Sequence, residues 1–547
     1  MKFLVPKAAR VIFPAVALVA LVALVAIAAC GGGGGGSDMG GPPPPTGCVS
    51  TAIVVCTQSG QVQGAIEGNL RAFRGIPFAA PPVGDLRWRP PALPAKWQGV
   101  RNATAFGNIC PQTDHGSTPL GNEDCLTLNV YTTNPRASSK QPVMVSIHGG
   151  GEIFGSARQT PWTLPPPLAG HGVIVVTVQY RLGLLGFLVH PLLTAESPQG
   201  SSGNYALMDQ IAALKWVRDN IAEFGGDPAR VMIFGESAGS VNVQALLASP
   251  AAAGLYSAAG MESGVFKGGL IGTSVEYAYP WYSDVATAVN CDTAANVLAC
   301  LRAVPADTLV LTRANSYDTG WVNIEPIVLP EDPFLKLQRL GSPVPLLIGS
   351  NSDEQALAYE TAPVLDSASY ATMVHSQFDV VAPGAGDTLL SLYPATDYTN
   401  PNYALSALLS DAYFTCKTRN LARAASGAPG ATVWRYLYTH RYENDALLST
   451  VGAFHSAELP FVSGNLQTLT VPIPYSPSDA EVALASEIMD YWARFAATGN
   501  PNRSGAVQWL PYDAGENILQ LDDTIVTLAG GYRNAQCDFL SSLPTHY

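Results

Sequence analysis

Positive charge is scarce along this chain: 29 lysines and arginines stand against 42 aspartates and glutamates in 547 residues, a formal net charge of −13. No basic run or arginine-rich stripe offsets that balance. The surface therefore repels nucleic acid and anionic lipid headgroups, which excludes nucleic-acid binding as a function class. No CxxC or HExxH spacing occurs, so a zinc site lacks its ligand pattern and no metal is expected. No linker-like shift in composition appears after Cys48. The length could hold several domains, but residues 48–547 read as one large unit.

What does stand out first is apolar. Lys2, Lys7 and Arg10 precede an uncharged apolar stretch from Val11 to Ala29, the layout of an export signal over residues 1–29. Ile27-Ala28-Ala29-Cys30 resembles a bacterial lipobox, which implies that Cys30 is lipidated and becomes the first mature residue. Six glycines (Gly31 to Gly36) and four prolines (Pro42 to Pro45) lie in the following segment, 30–47, a tether that cannot pack a core. The alternative is an uncleaved membrane anchor, since 19 apolar residues just span a bilayer; the small residues before Cys30 favour cleavage. The expectation is a chain held at the bacterial cell envelope by an N-terminal lipid. Loss of the signal removes three positive charges and no negative ones, taking the net charge from −13 to −16. Beyond Cys30 there remain Cys48, Cys56, Cys110, Cys125, Cys291, Cys300, Cys416 and Cys537. An even count in an exported chain points to disulfides, in any of 105 pairings.

Chemistry is concentrated in Gly235-Glu236-Ser237-Ala238-Gly239. Val231-Met232-Ile233-Phe234 before it reads as a buried strand, and Val241 to Leu247 after it follows a helical pattern. In that context G-x-S-x-G is a nucleophile elbow: the glycines permit a sharp turn that lifts the serine hydroxyl above the carboxyl edge of a sheet. Upstream, His148-Gly149-Gly150-Gly151 follows the strand Val143-Met144-Val145-Ser146-Ile147, a loop type whose backbone N–H groups complete an oxyanion hole. Val173 to Gln179 reads as another buried strand. Asp209 to Phe224 reads as a helix, with Leu207, Ile211, Leu214, Val217 and Ile221 on one face. The alternation argues for a mostly parallel sheet covered on both sides. A further strand, Val344 to Ile348, leads into Gly349-Ser350-Asn351-Ser352-Asp353-Glu354, where an acid would sit at a carboxyl strand end. On physical grounds Asp353 and Glu354 compete for that role. The base must follow the acid in chain order, which leaves His375, His440, His455 and His546.

The flanks make these motifs specific. Phe73-Arg74-Gly75-Ile76-Pro77-Phe78-Ala79-Ala80-Pro81-Pro82-Val83-Gly84, Glu123-Asp124-Cys125-Leu126-Thr127-Leu128-Asn129-Val130-Tyr131, Asn204-Tyr205-Ala206-Leu207-Met208-Asp209-Gln210 and Phe224-Gly225-Gly226-Asp227-Pro228 together resemble the type-B carboxylesterases, relatives of cholinesterases and para-nitrobenzyl esterases. The likeness runs from about Val49 to Tyr547. It implies an α/β-hydrolase fold, with a large, mostly parallel sheet flanked by helices in a single domain, and hydrolysis of small-molecule carboxylic esters without a cofactor. It places the triad acid at Glu354 and the base at His455, within Gly452 to Phe461, to serve Ser237. The oxyanion donors would be the N–H groups of Gly150, Gly151 and Ala238. Cys110–Cys125, Cys291–Cys300 and Cys416–Cys537 match the family's bridges, leaving Cys48 with Cys56.

The resemblance gives the neighbours plainer roles. Glu236 matches a glutamate that tunes electrostatics beside the serine, and Arg87 with Glu123 resembles a buried pair pinning the Cys110–Cys125 loop. Ser263 is either a partner of the acid or a small packing residue, while Trp492, Phe495 and Gly499-Asn500-Pro501 end a core helix. Glu152 departs from the pattern, which carries an aromatic residue there. Facing the gorge it would favour cationic or polar substrates, and facing outward it would do nothing. Three functions compete: a broad esterase for short or medium esters, a lid-gated lipase or polyester hydrolase, and a catalytically silent adhesion module. The complete Ser237, Glu354 and His455 set opposes the third. The Cys110–Cys125 loop opposes the second, because Pro111 to Asp124 is polar and has no aromatic residue. The same lack opposes a choline-binding site, which needs an aromatic face.

Overall fold

The computed structural model describes residues 50–544 apart from 115–116, 160, 163, 165, 267–283, 313–321, 361, 469 and 472. Cys30, Cys48 and the whole 1–47 leader and tether lie outside the described residues. The centre is an 11-stranded sheet. In chain order its strands are β1 (Ala65–Glu67), β2 (Leu70–Pro77), β3 (Thr127–Thr132), β4 (Gln141–Ile147), β5 (Ile174–Val178), β6 (Gly226–Glu236), β7 (Ala258–Glu262), β8 (Leu346–Asn351), β9 (Val433–Tyr438), β10 (Ile518–Leu521) and β11 (Val526–Leu528). Their spatial order is β11-β10-β9-β8-β7-β6-β4-β5-β3-β2-β1. Every pairing from β10 across to β5 is parallel. The pairings at the two edges are antiparallel.

Parallel strands are covered on both faces, so their sequences run apolar without polar alternation. Ile174-Val175-Val176-Thr177-Val178 is buried throughout. Period-two geometry then sends neighbours to opposite cores. Val143, Val145 and Ile147 join one cluster with Val231 and Ile233, whereas Met144, Met232 and Phe234 join the other. Helix α1 (Tyr205–Asn220) closes the first core with Leu207, Ile211, Leu214 and Val217. A 20-residue helix near the C-terminus, Asp479–Thr498, closes the second with Leu484, Ile488, Trp492 and Phe495. Its start is fixed by a capping box between Ser478 and Glu481, and its end by Gly499 in the left-handed region.

Two boundaries differ from expectation. Helix α1 begins at Tyr205, because Asn204 takes φ 55° and turns the chain into it. Its last turn tightens into a 3-10 turn at Ile221–Phe224. Strand β8 begins only at Leu346, since Pro345 has no N–H for the ladder. It runs on to Asn351 because Gly349, Ser350 and Asn351 pair with Tyr436, Leu437 and Tyr438.

Disulfides join Cys110–Cys125, Cys291–Cys300 and Cys416–Cys537. Cys56 is disulfide-bonded as well; its expected partner, Cys48, lies outside the described residues. Arg87 and Glu123 form a two-pronged ion pair with contacts of 2.8 and 2.6 Å. Arg87 also donates to the carbonyls of Leu301 and Val304. It therefore ties the first disulfide loop to the end of the helix that carries Cys300. Among the described residues, no helix is long and apolar enough to cross a membrane.

Candidate active site

Ser237 stands between β6 and helix α2 (Ala238–Ala248), at φ 58° and ψ −123°. This conformation is strained for a non-glycine residue and holds the side chain clear of the sheet edge. Its own N–H donates to the Glu262 carbonyl, and its carbonyl accepts from Val241. The flanking glycines are needed for close approach: a Cβ on Gly239 would strike the Ile147 carbonyl oxygen. Gly150 has φ 110°, and a Cβ there would strike the Phe154 carbonyl. Among the described residues, no backbone hydrogen bond uses the N–H of Gly150 or Gly151. Ala238 is the first residue of α2, where helical N–H groups have no partner inside the helix. All three residues line one cavity with Ser237.

Glu354 and His455 reach the same place from the loops after β8 and β9. The Nδ1 atom of His455 lies 2.6 Å from Glu354 Oε2. Glu354 Oε1 accepts from the Asn351 amide at 2.8 Å. The His455 amide also donates to the Glu354 carbonyl, so the two loops are stitched together. Asp353, the competing acid, turns the other way and accepts from Ser352 and the Ala453 amide. Of the competing histidines, His440 is buried between Asp523 and Glu481, His375 pairs with Asp379 on the surface, and His546 lies outside the described residues. The other face of His455 is unexpected. Its Nε2 lies 3.2 Å from Glu236 Oε1, and no hydrogen bond joins it to Ser237. Glu236 Oε1 also accepts from Ser456 Oγ at 2.6 Å. Coulombic attraction to Glu236 and the hydrogen bond to Glu354 outweigh the cost of burial, so the imidazole holds its proton well above the ordinary histidine range.

Two further glutamates surround this pair. Glu458 accepts from Asn351 Nδ2, and Ser263 Oγ donates to it at 3.4 Å. Ser263 therefore meets Glu458 rather than Glu354. Glu262 accepts from Trp492 Nε1 at 2.6 Å, and burial pushes its carboxyl up to about 8. Burial also raises Glu236 and Glu458. Four carboxyls so close together in a dry site do not all ionise. The sequence carries a signal for these groups: Glu262 ends a wholly apolar strand, and Glu458 lies one helical turn beyond His455.

Glu152 faces neither the gorge nor solvent. It is fully buried beside the glycine loop and absent from the cavity lining. The cavity itself measures about 500 Å³. Its walls are mainly apolar, with Phe154, Val241, Val265, Phe266 and Phe414, the last with its ring 4.8 Å from that of His455. Lys417 also lines it, with its ammonium over the rings of Phe266 and Tyr413. None of the described residues of the Cys110–Cys125 loop lines the cavity. That loop works from behind instead. Gln112 exchanges two hydrogen bonds of 2.9 Å with the backbone of Gly155, bracing the loop that follows β4.

A serine, an acid-bound histidine and free backbone donors converging on one apolar cavity suit acyl transfer. The comparisons agree. A sequence model of the Carboxylesterase family matches residues 51–540. The para-nitrobenzyl esterase of Bacillus subtilis (strain 168) is 35% identical over 497 residues, covering 87% of this chain and 96% of its own. The fumonisin B1 esterase of Sphingopyxis macrogoltabida is 34% identical over 485 residues, 85% of each chain. A solved thermophilic PNB esterase superposes with a TM-score of 0.76 at 31% identity, covering 90% of this chain and 100% of its own. The chain thus belongs to the carboxylesterase family: it has the α/β-hydrolase fold and hydrolyses carboxylic esters.

Proposed function

We propose that Ser237 is the nucleophile, His455 the general base and acid, and Glu354 the orienting anion of a hydrolase acting on monomeric short- to medium-chain esters. The observation that carries the assignment is the 2.6 Å contact between His455 Nδ1 and Glu354 in the cavity that holds Ser237. A serine hydroxyl is a weak nucleophile, so it attacks the ester carbonyl carbon as Nε2 takes its proton. In the resting site Nε2 leans on Glu236; catalytic hydrogen bonds of this kind tighten once substrate is seated. The carbonyl oxygen becomes an oxyanion held by the N–H groups of Gly150, Gly151 and Ala238. Each such donor contributes about 3 kcal/mol to lowering the barrier. His455 then protonates the departing alcohol. A water molecule, deprotonated by the same nitrogen, attacks the acyl-enzyme and releases the acid.

The substrate range follows from the walls. A cavity of about 500 Å³ lined by five apolar side chains accepts a modest acyl or alcohol group. Relatives named for para-nitrobenzyl esters, fumonisin B1 and cocaine support breadth. Lid-driven interfacial activation needs apolar area to move from water to lipid, at about 25 cal/mol per Å². The polar Cys110–Cys125 loop, braced against the oxyanion loop, supplies little. The rate on one medium-chain ester should therefore follow dissolved substrate and show no jump at the solubility limit. A sharp rise above that limit would refute this reading. The N-terminal pattern supports attachment to the bacterial cell envelope through lipidated Cys30. A mature N-terminal peptide that begins elsewhere, or with unmodified Cys30, would refute the anchor.

A further inference from the structure

Beneath the oxyanion loop lies a set of buried polar groups that the mechanism above does not use. Glu152 follows Gly150 and Gly151 directly, takes φ 63°, and has no accessible surface. Its carbonyl anchors the chain by accepting from the Gly183 amide, yet neither carboxyl oxygen has a hydrogen-bond partner. Asn242, on the helix that begins beside Ser237, is equally buried, and both its amide atoms lack partners. His148, at the other end of the same loop, leaves Nε2 without a partner. We propose that Glu152 is a positioning residue of the oxyanion loop that works only as the neutral carboxylic acid, its ionisation weakening the hold of the Gly150 and Gly151 amides on the oxyanion.

An ionised carboxylate without partners is among the costliest groups to bury. No cation faces Glu152, and only the Asn242 amide and the Tyr180 hydroxyl favour its charged form, less strongly than burial opposes it. His148 is stacked on Tyr180, and burial pushes its imidazole down to about 4, so it is neutral. Tyr180 keeps its proton, because burial raises it far above its ordinary value, and donates it to the His148 carbonyl. Arg181, next along the chain, gives its guanidinium to Asp209. Asn242 is uncharged. Burial accordingly raises the Glu152 carboxyl to about 8, with Asn242 and Tyr180 as its polar neighbours. Below that pH the acid is neutral and the loop rests undisturbed. Above it, the proton leaves to solvent and a negative charge appears one and two residues from the amides that must bind a second one. The anion repels the oxyanion directly, and it pulls the loop toward any donor that can solvate it.

This inference rests on the oxyanion role of Gly150 and Gly151, which Ser237→Ala and the identity of the reaction test separately. Its own test is the alkaline limb of kcat between pH 6.5 and 9.5, each point followed by return to pH 7 to show that the loss reverses. The wild type should lose about tenfold per pH unit above the ionisation, toward a floor about 10²-fold down, the cost of a spoiled donor. Glu152→Gln keeps the shape without the proton, so its kcat should not fall between pH 7 and pH 9.5. Asn242→Ala removes a neighbour that steadies the anion, so it should move the limb to higher pH. A Glu152→Gln limb identical to wild type would overturn the proposal. Should that variant fail to fold, an unmoved limb in Asn242→Ala would overturn it equally.

Discussion

Glu236→Gln probes the least expected contact in the site. The His455 Nε2 atom must be unprotonated to accept the serine proton, yet it sits 3.2 Å from Glu236 Oε1. Two unit charges at that distance interact by 332/(20 × 3.2), about 5 kcal/mol at an effective dielectric constant of ~20. Taken whole, this would move the histidine by between three and four pH units, roughly. It must be discounted, because the His455 side chain is 29% exposed and solvent screens it. Burial also disfavours the Glu236 anion, which weakens its pull on the imidazole. A displacement of about one to two pH units remains. The sign is fixed. An anion beside the imidazole raises its pKa, so removing the anion lets the base become neutral at lower pH.

The acid limb of kcat/KM should therefore move to lower pH in Glu236→Gln, measured on one soluble ester from pH 5 to 10. Glutamine retains an oxygen to accept from Ser456 Oγ, so the loop after β9 keeps its anchor. The plateau should fall, since the imidazolium formed in the transition state loses a stabilising charge. Activity at low pH relative to the plateau should nevertheless rise. A limb that stays in place would mean that Glu236 carries its proton throughout. A limb that moves upward would refute the electrostatic reading altogether.

Ser237→Ala should reduce turnover at least about 10³-fold. It should leave the melting temperature unchanged, because the hydroxyl makes no hydrogen bond among the described residues; retention of half the activity would refute the assignment. Glu262→Gln should alter the pH dependence of stability. A buried acid raised from 4.5 to about 8 binds its proton more tightly in the folded state, so its contribution is complete below pH 4.5 and is lost as pH rises to about 8. Denaturant titration should show the variant gaining on wild type across that window, by at most about 5 kcal/mol; a constant difference would refute it.

Much of this site is written locally. The elbow needs small residues on either side of one serine, and the parallel strands need unbroken apolar runs. Both appear as short sequence patterns, so β4, β6 and the positions of Gly150, Gly151, Ser237 and Ala238 could be read directly. The acid and base were less local. Asp353 and Glu354 are adjacent acids on one turn, and only the partner of each distinguishes them: the Ala453 amide for one, His455 for the other. That choice came from resemblance, because a contact across 101 residues leaves no trace in spacing. Glu152 was beyond both kinds of reading. With φ 63° its side chain points where a regular backbone would not send it, and hydropathy gives a glutamate to solvent or to a ligand. The third option, a neutral acid shut inside the protein, depends on how β4, β5 and α2 close around one residue. Such a group belongs to the packing of three elements at once, and no single stretch of the chain records it.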